Sequence, residues 1–159
     1  MTVDIGRVVV PVLPEIGEVP APGIHNFPTH LDRVRSEIIA KRYRMPLVAK
    51  FVRANGIDKV LIDAPARRIG IVAAGKAVQD ARQAIAMLGL DQAQAAAIGI
   101  SLYKLGCVYP VEPTGLVEFA AGQQELLFIE EKDPLTEGQA KTILYGKPDG
   151  PRIVGKQDE

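Results

Sequence analysis

The chain has 159 residues with 19 Lys+Arg against 19 Asp+Glu, so it carries no net formal charge. That argues against a nucleic-acid binder, whose affinity rests on an excess of Lys and Arg meeting phosphates. Hydrophobic residues make up 47% and charged residues 24%, ordinary values for one globular core of ~100–200 residues, which exclude disorder for most of the chain.

The first 28 residues stand apart, because five of the 12 prolines fall there: Pro11, Pro14, Pro20, Pro22 and Pro28. Proline fixes φ and removes a backbone donor, so this stretch is neither continuous helix nor central strand. It reads as an extended arm, with a short edge strand at Val8-Val9-Val10. Thr29 is the expected N-cap of a first helix with Asp32 three residues on. Leu31, Val34, Ile38 and Ile39 form its apolar stripe. Pro46 should interrupt it and open a second helix, ended by Asn55-Gly56. Residues 29–57 thus make a helical approach segment.

From residue 58 the pattern alternates between strand and helix. Lys59–Asp63, Arg68–Ala73, Ile100–Leu105, Leu126–Glu130 and Arg152–Val154 read as strands. Helices are predicted over Lys76–Leu88, from Asp91 as cap to Gly99, from Glu112-Pro113 to Ala121, and from Asp133-Pro134 to Leu144. Short loops between these elements demand crossover connections, which put helices on both faces of a mostly parallel sheet. Residues 58–159 are therefore expected to form a three-layer α/β/α domain with a mostly parallel, though not necessarily all-parallel, sheet of about five strands. Ligands of such sheets bind at the carboxyl ends of the strands. Those ends are expected at Asp63, Ala74-Gly75-Lys76, Gly106–Pro110 and Glu130-Glu131-Lys132.

Gly70–Ala77 nearly matches a phosphate-binding loop, but Ala77 stands where Mg²⁺ binding needs a hydroxyl, and Gly70–Ala73 reads as strand. What survives is a tight turn at Gly75 and a helix N-terminus at Lys76, a candidate anion site. Glu130 and Glu131 are further ligand candidates by position alone, while Asp133 is read as a helix cap. Cys107 is the only cysteine and the histidines are His25 and His30. A thiol–imidazole pair would need the arm to fold back, and a small buried hydrophobe is the plainer reading of Cys107. The histidines lack metal-pair spacing. Arg67-Arg68 reads first as a solvated edge and second as an interface salt-bridging pair. The longest apolar runs are far short of the ~20 residues of a bilayer span, and the N-terminus has no signal-peptide character. A reducing cytoplasm is the expected compartment.

Seven blocks, in order, carry a family resemblance. They are Ala49–Ile57, Arg68–Ala77, Asp80–Gln83 with Leu88-Gly89-Leu90, Gly99–Lys104, Tyr109–Gly115, Ile129–Leu135 and Pro151–Glu159. The chain from about Arg44 onward resembles one region of the indolepyruvate ferredoxin oxidoreductases, of the 2-oxoacid:ferredoxin oxidoreductase family. The resemblance implies the middle domain of those enzymes, which is like the transketolase C-terminal domain and lies between thiamine diphosphate-binding domains. The whole enzyme would oxidatively decarboxylate an aryl 2-oxoacid to an acyl-CoA, with ferredoxin as acceptor. The family's diphosphate-binding G-D-G…N motif is missing here, since the only Asp-Gly is Asp149-Gly150, and its cluster-binding cysteines are missing too. No catalytic residue carries over. Thiamine diphosphate, Mg²⁺ and iron–sulfur clusters are expected elsewhere in the enzyme, and this chain alone is expected to be inactive. It is read as a piece of a larger enzyme or a small subunit needing partners, with self-association left open.

Overall fold

The structure is a computed structural model that describes residue 6 and residues 9–21, 23–25 and 33–157. Val8, Pro22, Pro28, Thr29, His30, Leu31 and Asp32 lie outside the described residues. The chain divides into two compact units, Met1–Asn55 and Gly56–Glu159.

In the first unit, residues 9–17 carry neither helix nor strand. Val9 and Val10 are therefore not the expected edge strand. Helix α1 (Arg33–Ile39) runs through a π-helical turn, Ala40–Arg44, straight into α2 (Met45–Ala54). The expected break at Pro46 is absorbed by this wider turn, in which the Met45 N–H reaches back to Ala40 O. A proline near a helix start costs no intrahelical bond. The α2 helix buries Val52 and ends at Asn55.

In the second unit, β1 (Lys59–Ile62), β2 (Ile69–Ala74), β3 (Ile100–Leu105), β4 (Glu125–Ile129) and β5 (Arg152–Val154) form one sheet in the order β1-β3-β2-β4-β5. The last four are parallel, whereas β1 runs antiparallel to β3, pairing Lys59 with Lys104. The sheet is therefore mixed. Consequently Asp63, just past β1, lies at the opposite end of the sheet from the carboxyl ends of β2, β3 and β4, and the expectation that it joins the ligand edge is corrected.

Helices α3 (Lys76–Met87) and α4 (Gln92–Ala97) cover one face, and α5 (Pro113–Ala120) and α6 (Leu135–Leu144) cover the other. One core gathers Val72, Leu105, Leu116, Phe119, Leu126 and Phe128; the other gathers Ile71, Ala81, Ile85 and Leu102. The strands supply both because successive side chains point to opposite faces. Tyr103 stacks on Phe119 with ring centroids 4.9 Å apart. Gly70 is a buried position inside β2, not part of a loop, and a Cβ there would fall 2.7 Å from Leu126 Cδ2 and 2.9 Å from Phe119 Cε1. The near-match to a phosphate loop thus reflects a packing need.

The expected cap of α4 forms, and α5 proves to be capped as well. Asp91 Oδ1 accepts the Gln94 N–H at 2.8 Å and Gln94 returns a bond to Asp91 N–H. Glu112 accepts the N–H groups of Thr114 and Gly115 at 2.8 and 2.6 Å.

Candidate functional site

The carboxyl ends of β2 and β4 open into a cleft of about 580 Å³, lined among others by Lys76, Ala77, Val108, Glu131, Leu135 and Thr136. Gly75, with φ of 55°, occupies the N-cap position of α3. The structure brings Gly75, Lys76, Glu130 and Glu131 to one edge because β2 and β4 are parallel neighbours.

Each charged group there has a local task. Lys76 Nζ lies 2.6 Å from Asp80 Oδ2, one turn along α3. That hydrogen bond and charge, with the more distant Glu131, hold the Lys76 ammonium above its ordinary pKa. Glu130 Oε1 accepts the Thr136 N–H at 2.8 Å and Oε2 accepts the Glu137 N–H at 3.1 Å. These are first-turn donors of α6, which have no partner within the helix. Asp133 is not the N-cap that the sequence suggests. Pro134 occupies that position with no side-chain cap bond, and Asp133 contributes its backbone carbonyl to Leu135 N–H at 2.8 Å. The capping carboxylate comes from Glu130, at the end of the preceding strand.

The neighbouring turn after β3 is held from two sides. Asp58 Oδ1 accepts the Gly106 N–H at 2.7 Å and the Cys107 N–H at 3.3 Å. Gln139 Nε2 donates to Val108 O and its Oε1 accepts the Val111 N–H, both at 2.9 Å. Burial pushes the Asp58 carboxyl up and the Glu112 charge adds to this, against the two N–H bonds and the Lys104 charge. Cys107 Sγ sits 3.4 Å from Tyr109 O. His25 belongs to the other compact unit.

Arg67 is not the solvated edge residue its sequence context suggests. Its guanidinium donates to Glu118 O and Ala121 O at 3.1 and 2.9 Å, closing the carboxyl end of α5, and it pairs with Asp63 at 2.9 Å. Cations favour this end of a helix.

Glu137 was missed altogether in the sequence. It has no exposed surface, pairs with Lys141 at 2.6 Å and accepts the Lys156 N–H at 2.8 Å. Burial pushes its carboxyl up, but the Lys141 ammonium and the N–H groups of Lys156 and Gln157 outweigh burial and hold it below the ordinary range. A Glu one turn before a Lys was the one local signal, and it is too common to single the residue out.

Among the described residues, no three His, Cys, Asp or Glu side chains converge in a way that could hold a metal ion. Among them, too, no helix is long and apolar enough to cross a membrane.

The profile of the indolepyruvate oxidoreductase domain matches residues 59–159. The chain belongs to the indolepyruvate oxidoreductase domain family. Indolepyruvate oxidoreductase subunit IorA of Pyrococcus abyssi is 34% identical over 90 residues, covering 56% of this chain and 13% of that one. The IorA subunit of Methanothermobacter marburgensis is 30% identical over 126 residues, covering 79% of this chain and 18% of that one. This indolepyruvate oxidoreductase domain therefore spans less than a fifth of these curated relatives. Among solved structures, a split-gene transketolase described as an inactive β4 tetramer is 19% identical with a TM-score of 0.45, over 64% of this chain and 32% of that one. The 2-oxoglutarate:ferredoxin oxidoreductase of Magnetococcus marinus is 16% identical with a TM-score of 0.41, over 62% of this chain and 16% of that one.

Proposed function

We propose that this chain is the non-catalytic assembly domain of a thiamine diphosphate-dependent indolepyruvate:ferredoxin oxidoreductase. The whole enzyme would decarboxylate an aryl 2-oxoacid to an acyl-CoA and pass electrons to ferredoxin, in the cytoplasm. The observation that carries this reading is the commitment of the charged groups at the sheet's ligand edge. Glu130 caps α6, Asp58 holds the Gly106-Cys107 turn, and Lys76 pairs with Asp80. A general acid or base must instead be within reach of a reacting atom. The side chains here do not fit thiamine diphosphate with Mg²⁺ or an iron–sulfur cluster. No metal-holding group of side chains converges among the described residues, and Cys107 is the only thiol. Those groups belong to the other domains or subunits.

The domain's work is then positional. A rigid sheet keeps its neighbours in register, where misplacement by ~1 Å is costly to catalysis. Apolar side chains left exposed beside the cleft support such packing: Val108, Tyr109 and Leu135 are 42%, 59% and 48% exposed. Isothermal titration of the purified chain with thiamine diphosphate and Mg²⁺ tests the reading. No stoichiometric heat is expected, and stoichiometric binding overturns it.

A second reading places a phosphate-bearing ligand, a nucleotide or CoA, at Gly75-Lys76. The free N–H groups of α3 favour it. The carboxylates of Asp80 and Glu131 beside Lys76 oppose it. Its test is a rise in melting temperature with such ligands that Lys76→Ala removes.

A further inference from the structure

The arm in the first unit combines exposure with a fixed backbone. Val9, Val10, Leu13 and Ile16 are 83%, 84%, 80% and 55% exposed. Pro11 and Pro14 set φ near −65°, and the residues before them, Val10 and Leu13, are pushed toward extended conformations. Half of Val9–Ile16 is thereby restricted to polyproline-type geometry, and neither helix nor strand forms there. Gly17, with φ of 72°, turns the chain out of this run.

Polyproline geometry repeats every three residues. Val10, Leu13 and Ile16 therefore share one edge, and Pro11 and Pro14 share a second. The segment is anchored as well. Asn55 Oδ1 accepts the Val12 N–H at 2.7 Å and Asn55 Nδ2 donates to Val12 O at 2.9 Å. Farther along, Arg35 donates to Ala21 O. A segment held in its bound shape loses less entropy on docking.

The backbone decides the mode of recognition. Pro11 and Pro14 have no N–H, and both polar groups of Val12 are taken by Asn55. Adding the segment as a strand to a partner's sheet edge needs those groups. Strand pairing is thereby interrupted on either edge, by Pro11 on one and by Val12 and Pro14 on the other, which leaves the side chains as the continuous feature to be read, as when proline-rich segments lie in aromatic-lined grooves.

We infer that Val9–Ile16 is a docking segment whose Val10/Leu13/Ile16 edge seats in an aromatic-floored apolar groove of a different polypeptide. Glu15 lies within the run and Glu18 just beyond it, and no Lys or Arg occurs over 9–21, so the rim of that groove is basic. A second copy of this chain is a poor host. It has no Trp and only 5% aromatic residues, and its exposed described tyrosines, Tyr109 and Tyr145, are single positions. This inference stands apart from the assembly reading, because it rests on the arm alone.

The test places a benzophenone photo-crosslinking residue at Val10, and separately at Ile16, in the full chain within its native host. The expected product is one adduct to a different polypeptide, attached among aromatic side chains flanked by Lys or Arg. Leu13→Asp, a change at an exposed position that leaves the fold intact by circular dichroism, should reduce it at least tenfold. An adduct to a second copy, an adduct at a polar surface, one that Leu13→Asp leaves unchanged, or no adduct at either position overturns the inference.

Discussion

Glu137 Oε2 accepts the backbone N–H of Lys156 at 2.8 Å, so a carboxylate with no exposed surface ties the chain leaving β5 to helix α6. Gln157 N–H reaches the same carboxylate at 3.3 Å and Lys141 closes it at 2.6 Å. Hydrogen bonds to a charged group contribute about 1.5–3 kcal/mol each, and a donor left without its partner costs more than its share. Glu137→Ala should therefore destabilise the second unit by about 3 kcal/mol, read as a lower midpoint in urea. Glu137→Gln, which keeps one acceptor, should lose less. Equal midpoints for wild type and Glu137→Ala would show the tie to be dispensable.

The same residue sets part of the acid response. Its folded pKa is lowered, so its contribution is present above its ordinary value of 4.5 and is lost as pH falls through the folded value. Asp58 acts oppositely. Its folded pKa is raised, so its favourable contribution is complete below 3.8 and declines as pH rises through the folded value. Asp58→Asn keeps an acceptor for Gly106 N–H but removes the charge. It should leave stability at pH 7 equal or higher and make the loss below pH 4.5 steeper, whereas Glu137→Gln should make that loss shallower. Urea titrations at several pH values measure both slopes.

At the ligand edge, Glu130 and Asp133 can be separated. Glu130→Ala removes the acceptor for two first-turn N–H groups of α6 and should cost about 1 kcal/mol, as loss of a cap does. Asp133→Ala should change stability by less than about 0.5 kcal/mol, as an ordinary surface substitution does. Amide exchange at Thr136 and Glu137 should speed up in the first variant only. The opposite pattern would restore Asp133 as the cap.

Gly70→Ala tests whether the glycine of the near-miss phosphate motif serves packing. The added methyl would press on Leu126 and Phe119 at under 3 Å. Overpacking of this kind costs about 1–3 kcal/mol, seen as a lower melting temperature. Stability unchanged by the methyl would mean that the core has slack there.

The cap of α4 is legible because a cap sits within three residues of the N–H it serves. Asp91 announces its helix locally, whereas Glu130 reaches α6 from six residues upstream, past Asp133-Pro134, which carries the stronger local signal. Lys76 and Glu131 both line the cleft at the carboxyl ends of β2 and β4. Their usefulness as ligands depends on neighbours such as Asp80, which spacing alone does not weigh.

From residue 58 onward, hydrophobic period and turn residues determined where this chain makes strands and helices, because those signals act over one or two turns. Only the tertiary structure decided that β1 runs against β3, that Asp63 lies at the far end of the sheet, and that Asp58 holds a turn 48 residues away. Strand direction and long-range hydrogen bonds follow from which surfaces bury each other, and that is a property of the whole packed core.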